Sequence, residues 1–266
     1  MRRDVPQNAG SGDSLLLFAF TVALLWWVGA PLQRSNIITG LIITEIILVA
    51  LPPLILAKRF HLNFKKTFRF RSARFTPLIF MATLAGSGFF LITQLQALIN
   101  KYIGIPQSYI EGSESMLSDL TGIGILGGFL ILAVLPAICE EILFRGYILD
   151  GLTRKWGIVT GIVLAGILFG AFHLDPYRLV AASLLGIVYG AIVWRQNSIF
   201  FGMLGHTINN GLAFAIVVLS ERLPHFIPEE DFLPLWLSGI MAILFIVSFS
   251  ALWRKKDRRI SIDGVT

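Results

Sequence analysis

The chain has 266 residues, of which 55% are hydrophobic and only 14% are charged. Soluble domains carry about 25% charged residues, so this composition favours an integral membrane protein over a soluble enzyme. The formal net charge is +6, and the single cysteine, Cys139, excludes an intrachain disulfide framework and a multi-thiolate metal site.

Eight apolar runs, each long enough for a membrane helix, follow one another along the chain. They predict an all-α, polytopic membrane protein with spans at about 14–32, 36–57, 77–99, 122–153, 157–173, 178–194, 198–219 and 232–253. We expect a catalytic core of helices 4–7. The chain then divides into 1–121, with three membrane helices and a basic loop, 122–219, with the catalytic core, and 220–266, with the last helix and a basic tail.

The basic residues lie mostly on one side of this topology. With both termini cytoplasmic, the inside segments hold 17 of them and the outside segments hold four. The positive-inside rule therefore predicts a multi-pass plasma-membrane protein with both ends in the cytoplasm. Segment 58–74 interleaves seven cations with phenylalanines, which indicates contact with anionic lipid headgroups and not with nucleic acid.

Two other segments carry structural expectations. Residues 100–121 are polar and acidic and are expected to form a loop. Glycines spaced i,i+4 in spans five and six predict close helix packing; the pairs are Gly157/Gly161, Gly166/Gly170 and Gly186/Gly190.

Span four contains three ionisable side chains within an apolar run: Glu140, Glu141 and Arg145. A charge at the bilayer centre costs at least ~2.5–3.5 kcal/mol, so such a cluster indicates a functional site. Glu141 and Arg145 are spaced i,i+4 and are predicted to pair. Glu140 points about 100° away and has no cation on its own stripe, which makes it a candidate general base.

Two more polar groups occur in apolar runs. His173 ends span five, and His206 shares a helix face with Asn210 in span seven. At 1.5 Å per residue, Glu140, His173 and His206 lie ~20, ~24 and ~12 Å above the cytoplasmic ends of their helices. The three positions can meet only if span four continues to about residue 153 and projects beyond the bilayer.

Such a set of groups could hydrolyse a peptide bond without a covalent intermediate. A carboxylate and an imidazole can deprotonate a water, while a second imidazole and an amide can stabilise an oxyanion. Alternatively, His173, His206 and Glu140 could ligate zinc and leave a position open for water. The sequence contains neither HExxH nor GxSxG, which argues against the common metalloprotease and serine-hydrolase arrangements.

The motifs Glu140-Glu141-x-x-x-Arg145, Phe169-x-x-x-His173 and His206-x-x-x-Asn210 together resemble the CPBP family of intramembrane proteases. This family includes the type II CAAX prenyl endopeptidases and Abi-like proteins linked to bacteriocin processing and immunity. The resemblance implies an intramembrane endopeptidase that acts on membrane-proximal or lipid-anchored, CAAX-like substrates; the motifs themselves do not imply a prenylated substrate.

The resemblance also implies roles for these residues. Glu140 would activate water with His173, and His206 with Asn210 would form the oxyanion site. Glu141 is grouped with these catalytic residues, and its partner Arg145 would be structural or would meet a substrate carboxylate. The family has been described both as metalloproteases and as glutamate proteases. We favour no metal cofactor, because only two histidines are available, and keep zinc as the alternative.

Two other classes of function fit the same residues. A non-catalytic immunity or scaffold protein could keep the fold and use the polar groups as interhelical hydrogen bonds. A transporter or proton relay would also place glutamates and histidines inside the membrane. Outside the motifs, Glu45 is interpreted as packing against a polar partner and Asp175 as a turn residue. The sequence assigns no oligomeric state.

Overall fold

The computed structural model describes residues 10–222 and 234–254, and every regular element in these ranges is a helix. The predicted all-α, polytopic membrane fold is therefore confirmed. The predictions for Arg2, Arg3, the acidic loop before the last helix and most of the basic tail concern residues outside the described ranges. In chain order the helices are α1 (Gly12–Ser35), α2 (Ile37–Arg59), α3 (Phe64–Thr67), α4 (Phe75–Ile103), α5 (Gln107–Gly122), α6 (Ile125–Trp156), α7 (Ile158–Phe172), α8 (Leu179–Gln196), α9 (Phe200–Arg222) and α10 (Leu235–Trp253).

Within the described ranges, seven helices are long and apolar enough to cross a membrane, one fewer than the eight predicted. The exception is α7, which corresponds to the fifth predicted span. Its 15 residues reach only about 22 Å, compared with ~30 Å for a typical hydrocarbon core. It begins after Gly157, whose φ is +81°, and ends at a turn in which Leu174 has a φ of +52° just before Pro176.

Three of the long helices contain a π-helical segment that ends two residues before a proline. These segments are Leu25–Gly29, Thr44–Ala50 and Leu130–Val134, and they precede Pro31, Pro52 and Pro136. Proline has no N–H, and its ring collides with the carbonyl four residues earlier, so a wider turn relieves the clash. The fourth π segment, Ile142–Ile148, precedes no proline and contains Arg145.

The predicted polar loop at 100–121 is wrong, because most of it forms α5. Gly104, with a φ of +75°, ends α4, and Pro106 precedes the first turn of α5. Tyr109, Met116 and Leu120 recur at a spacing close to 3.6 residues, and this stripe gives the otherwise polar segment one apolar face. Leu120 is fully buried.

The basic segment 58–74 is only partly the interfacial surface that the sequence predicts. Its chain turns into the helix bundle, where Phe68 and Arg69 are buried. The ring of Phe68 packs on Gly146 of α6, at a position where a Cβ atom would overlap the ring. The remaining six cations of the segment are exposed: Lys58, Arg59, Lys65, Lys66, Arg71 and Arg74.

Helices α7 and α8 pack closely along much of their length, as the glycine pattern predicts. A Cβ atom at Gly166 would lie 2.6 Å from the backbone nitrogen of Ile187, and one at Gly186 would lie 2.9 Å from Cα of Gly166. Gly161 instead packs against Thr153 of α6. Gly190 has more room, since its Cβ would lie 3.8 Å from Cγ2 of Ile162.

We predict that Gly166→Val lowers stability and that Gly190→Ala does not. The first change forces a side chain into backbone of α8, and overpacking of this kind costs about 1–3 kcal/mol. Thermal unfolding of both variants in the same detergent measures the effect. Equal unfolding temperatures would contradict the close backbone contact between α7 and α8.

Candidate active site

The buried ion pair of α6 is the centre of the site. Oε1 of Glu141 lies 2.8 Å from Nη1 of Arg145, and the two side chains are 0% and 2% exposed. The pairing predicted from the i,i+4 spacing is therefore confirmed. The guanidinium carbon of Arg145 also lies 4.2 Å from the centre of the Phe169 ring of α7, a cation–π contact. Both contacts fit the structural role predicted for Arg145.

His206 of α9 lies between the two adjacent glutamates. Its Nδ1 is 3.3 Å from Oε1 of Glu141, and its Nε2 is 4.0 Å from Oε2 of Glu140. All three side chains are buried. Gly202, one turn before His206, makes this approach possible, because a Cβ atom there would overlap Oε2 of Glu141. The structure thus brings Glu140, Glu141, Arg145 and His206 into one cluster.

His173 is linked to this cluster through an aromatic ring. Its Nδ1 lies 2.9 Å from the carbonyl oxygen of Phe169. A carbonyl can only accept, so Nδ1 carries the proton and Nε2 keeps its lone pair. The Phe169 ring centre lies 5.1 Å from the ring of His173 and 5.5 Å from that of His206. Among the contacts of the described residues, no hydrogen bond or ion pair joins His173 to Glu140; His206 is the imidazole beside it.

Asn210 lies one turn beyond His206, and its side chain bonds to the backbone of α6. Nδ2 of Asn210 donates to the carbonyl oxygen of Leu132 over 3.2 Å. In an α-helix this carbonyl would accept from residue 136, but Pro136 has no N–H to donate. Asn210 therefore supplies a donor that the sequence of α6 lacks, and one amide hydrogen remains for another acceptor.

We predict that the stability effect of replacing Asn210 depends on Pro136. Asn210→Leu leaves the Leu132 carbonyl without this donor, which should cost about 1–3 kcal/mol. In a Pro136→Ala background a backbone N–H is available at position 136, so the same substitution should cost less. Unfolding of the four proteins of this cycle measures the coupling. Additive losses would contradict the shared role.

The turn after α7 holds His173 in place. Oδ1 of Asp175 accepts from the backbone N–H of Tyr177 at 2.9 Å, as expected for the turn residue that the sequence predicts. Its Oδ2 accepts from the hydroxyl of Tyr109 at 2.6 Å, and the rings of Tyr109 and Tyr177 are in contact at a tilt of 55°, with centres 4.8 Å apart. Through these contacts α5 packs against the turn that contains His173.

We predict that Tyr109→Phe lowers stability in a pH-dependent way. Burial, followed by the hydrogen bond to Asp175, raises the pKa of Tyr109 above its ordinary value. The neutral phenol is the form favoured in the fold, so its contribution is full below the unfolded pKa of about 10 and is lost as the pH rises through the higher folded pKa. Unfolding temperatures of both proteins between neutral and strongly alkaline pH test this. A difference that stays constant over that range would argue against it.

Glu140, His173 and His206 lie at a similar level along the helix bundle once the contacts of the buried Arg69 are taken into account. Glu140 lies ~24 Å from the end of α6, and His173 lies ~22 Å from the start of α7. His206 is only seven residues, ~10 Å, beyond Ile199. However, the N–H of Ile199 donates to the carbonyl oxygen of Arg69 at 3.1 Å, and Arg69 contacts α6 at positions ~9–16 Å before the end of that helix. Helix α9 therefore starts higher in the bundle. The predicted continuation of span four is confirmed, since α6 runs to Trp156, and its projection beyond the bilayer stays a prediction.

The predicted zinc ligands do not form a metal site. Within the described residues, no group of three histidine, cysteine, aspartate or glutamate side chains is arranged to hold a metal ion. Nδ1 of His173 is bonded to Phe169, and His206 lies against both glutamates. The metalloprotease prediction therefore has no support among the described residues.

Two buried groups near the site were not assigned to it from the sequence. Glu45 of α2 is 6% exposed and lies close enough to interact electrostatically with Glu140 and Cys139. Its Oε2 has no hydrogen-bond partner among the described residues, so the polar partner expected for Glu45 is not observed. Arg69 is the other, and burial lowers the pKa of its guanidinium while nearby Asp150 opposes that shift. The contacts of Glu45 with Glu140 and of Arg69 with Asp150 join segments far apart in sequence, and no local spacing predicts them.

The region that contains these motifs matches a known family. Residues 122–212 match the family model described as type II CAAX prenyl endopeptidase Rce1-like. The matched range includes every predicted site residue, from Glu140 to Asn210. The resemblance recognised from the sequence is therefore confirmed over this region, and it points to membrane proteases of the CAAX type.

A comparison with curated proteins agrees with that class. The chain is similar to a Bacillus subtilis (strain 168) protein named "Putative membrane peptidase YdiL", with 21% identity over 121 residues. The aligned part covers 46% of this chain and 48% of that relative, so it spans about half of each. No solved structure matches the chain.

Proposed function

We propose that this protein is an intramembrane endopeptidase that hydrolyses peptide bonds of membrane-proximal or lipid-anchored, CAAX-like substrates. The observation that carries the proposal is the buried cluster in which His206 lies between Glu140 and the Glu141–Arg145 pair. A buried cluster is most stable when its net charge is zero. Two ionised glutamates and one arginine carry a net charge of −1. One further proton, shared by Glu140 and His206, brings the net charge of the cluster to zero.

The gap between Glu140 and His206 suits one oxygen atom. A separation of 4.0 Å between Oε2 and Nε2 is too long for a direct hydrogen bond. An oxygen at about 2.8 Å from both atoms would form an Oε2···O···Nε2 angle of about 90°, which is compatible with two hydrogen bonds to one water molecule. We assign this position to the attacking water, and afterwards the imidazole N–H is available to the oxyanion.

The reaction then follows from these positions. The water oxygen attacks the peptide carbonyl carbon while its proton passes to Glu140, with the free Nε2 of His173 as a second acceptor. His206 and the remaining amide hydrogen of Asn210 donate to the oxyanion. The proton held by Glu140 passes to the leaving nitrogen as the C–N bond breaks, which gives a carboxylic acid and an amine; the acid then passes its proton to the amine. Glu141 and Arg145 hold His206 in place.

Membrane placement supports the substrate class. Glu140 is ~24 Å from one end of α6 and about as far from the other, so a substrate must enter the membrane to reach it. Six exposed cations in segment 58–74 would bind anionic headgroups on the same side as the proposed cytoplasmic termini. We place the protein in the plasma membrane with that orientation.

A non-catalytic scaffold or immunity protein is the second candidate. The observation that favours it is that Arg145 and Asn210 both make contacts that stabilise the helix bundle. The two candidates differ in whether Glu140 is needed for peptide cleavage, and the proton-relay alternative has no comparable observation in its favour.

We predict that Glu140→Gln lowers kcat by about 10²–10⁴-fold, the usual contribution of a general base. Cys139→Ala, which removes the neighbouring side chain, should keep the activity and so exclude a thiol nucleophile. The assay uses liposomes with two sets of synthetic peptides, one carrying a prenylated cysteine and one an N-terminal acyl chain. Product analysis by mass spectrometry gives the cleaved bond.

A chelator arm and a zinc determination test the metal alternative in the same assay. Activity that persists in chelator and is lost in Glu140→Gln supports a glutamate-activated water. Loss of activity on chelation, with stoichiometric zinc in the protein, would overturn the metal-free mechanism. Equal cleavage by wild type and Glu140→Gln would overturn the role of Glu140, and no cleavage of either peptide set would favour the scaffold.

A further inference from the structure

Arg69 is a buried cation in a segment whose other cations are exposed. Only 6% of its surface is accessible, and its φ of +51° is unusual for a residue with a side chain. It lies outside residues 122–212, the range that matches the family model. Neither the motifs nor the family match therefore assigns it a role.

The side chain of Arg69 holds the backbone of α6. Its Nη1 donates to the carbonyl oxygen of Arg145 over 2.8 Å, and its Nη2 lies 3.5 Å from Oδ1 of Asp150. The Arg145 carbonyl belongs to the π segment that precedes no proline, where the regular i to i+4 pattern of backbone bonds is interrupted. Arg69 supplies a charge-assisted donor at this interruption.

The backbone of the same residue holds α9. The carbonyl oxygen of Arg69 accepts from the N–H of Ile199, directly before the first turn of α9. One residue thus contacts the turn of α6 that carries Arg145 and also sets the starting height of the helix that carries His206. The contact of His206 with Glu140 and Glu141 depends on that height.

We propose that Arg69 is a positioning residue that sets the distance between the glutamates of α6 and His206 of α9. This inference rests on the proposed function for its activity readout. Arg69 does not reach the reacting atoms; it acts through the backbone of Arg145 and of Ile199. Substitution should therefore change the geometry of the cluster and leave the binding of a peptide largely unchanged.

The chain offers two variants and a matched control. Arg69→Met removes the donors and keeps the length, and Asp150 retains its bonds to Arg154 at 3.0 and 3.1 Å. Arg69→Lys keeps one charged donor. The control is Arg71→Met in the same segment, since that side chain is exposed and the bonds of Arg71 are made by its backbone, which the substitution keeps. Its carbonyl accepts from the Ser198 hydroxyl, and its N–H donates to the carbonyl oxygen of Arg69.

In the liposome peptide assay, Arg69→Met should lower kcat at least ~10-fold with little change in KM, the effect expected from losing one charge-assisted hydrogen bond. Arg69→Lys should recover part of the rate, and Arg71→Met should match wild type. Equal rates in Arg69→Met and Arg71→Met, or a loss confined to KM, would overturn the positioning role.

A second readout does not need activity. Cys139 is the only thiol, is 4% exposed and precedes Glu140, so its alkylation rate by N-ethylmaleimide reports on the packing of this turn of α6. Arg69→Met should accelerate labelling several-fold relative to Arg71→Met, and also relative to Gly166→Val, which is destabilised at a distance from Arg69. If wild type cleaves no peptide, the proposed function fails, but the labelling rates still test the positioning role of Arg69. Equal labelling in all three variants would overturn the inference.

Discussion

The contact between Glu141 and Arg145 is the constraint around which the rest of the bundle is arranged. A single charge in the apolar interior is costly, whereas a charge with an opposite charge beside it can be retained. The pair lies on one helix, so neither partner depends on another segment to neutralise it. It then serves as a fixed support for groups from two other helices, the Phe169 ring of α7 and the imidazole of His206 on α9. Glu140, next in sequence and without such a partner, is the carboxylate left for chemistry.

The backbone of α6 shows a second constraint, because bending a membrane helix leaves polar groups that lipid cannot solvate. Pro136 deprives the Leu132 carbonyl of its donor, and the π segment around Arg145 disturbs the ladder again within three turns. In both places a side chain from elsewhere donates to the affected carbonyl, Asn210 in the first and Arg69 in the second. The irregular backbone of α6 and the positions of the side chains that donate to it therefore depend on each other.

Local spacing predicted the features that depend on one helix at a time. The long apolar helices, the Glu141–Arg145 pair, the shared face of His206 and Asn210 and the turn role of Asp175 all follow from patterns within a few residues, whereas the polar helix α5 was predicted as a loop. The three proline-linked π segments could have been predicted in the same way. The burial of Arg69, the docking of α5 through Tyr109 and the bond from Asn210 to Leu132 could not, because each joins residues more than 60 positions apart. The choice of His206 over His173 as the neighbour of Glu140 depends on the height of α9, and that height is set by one of these long-range contacts.

The short length of α7 has a consequence for the surrounding lipid. A helix of about 22 Å beside helices that match a ~30 Å hydrocarbon core creates a hydrophobic mismatch, which a bilayer relieves by local thinning or by admitting headgroups and water. His173 and Asp175 lie at one end of α7, and thinning of the bilayer at that end would bring headgroups and water towards them. The membrane would then be deformed beside the site. A peptide anchored at the headgroup level would have the shortest apolar distance to cross at this point of the protein's perimeter.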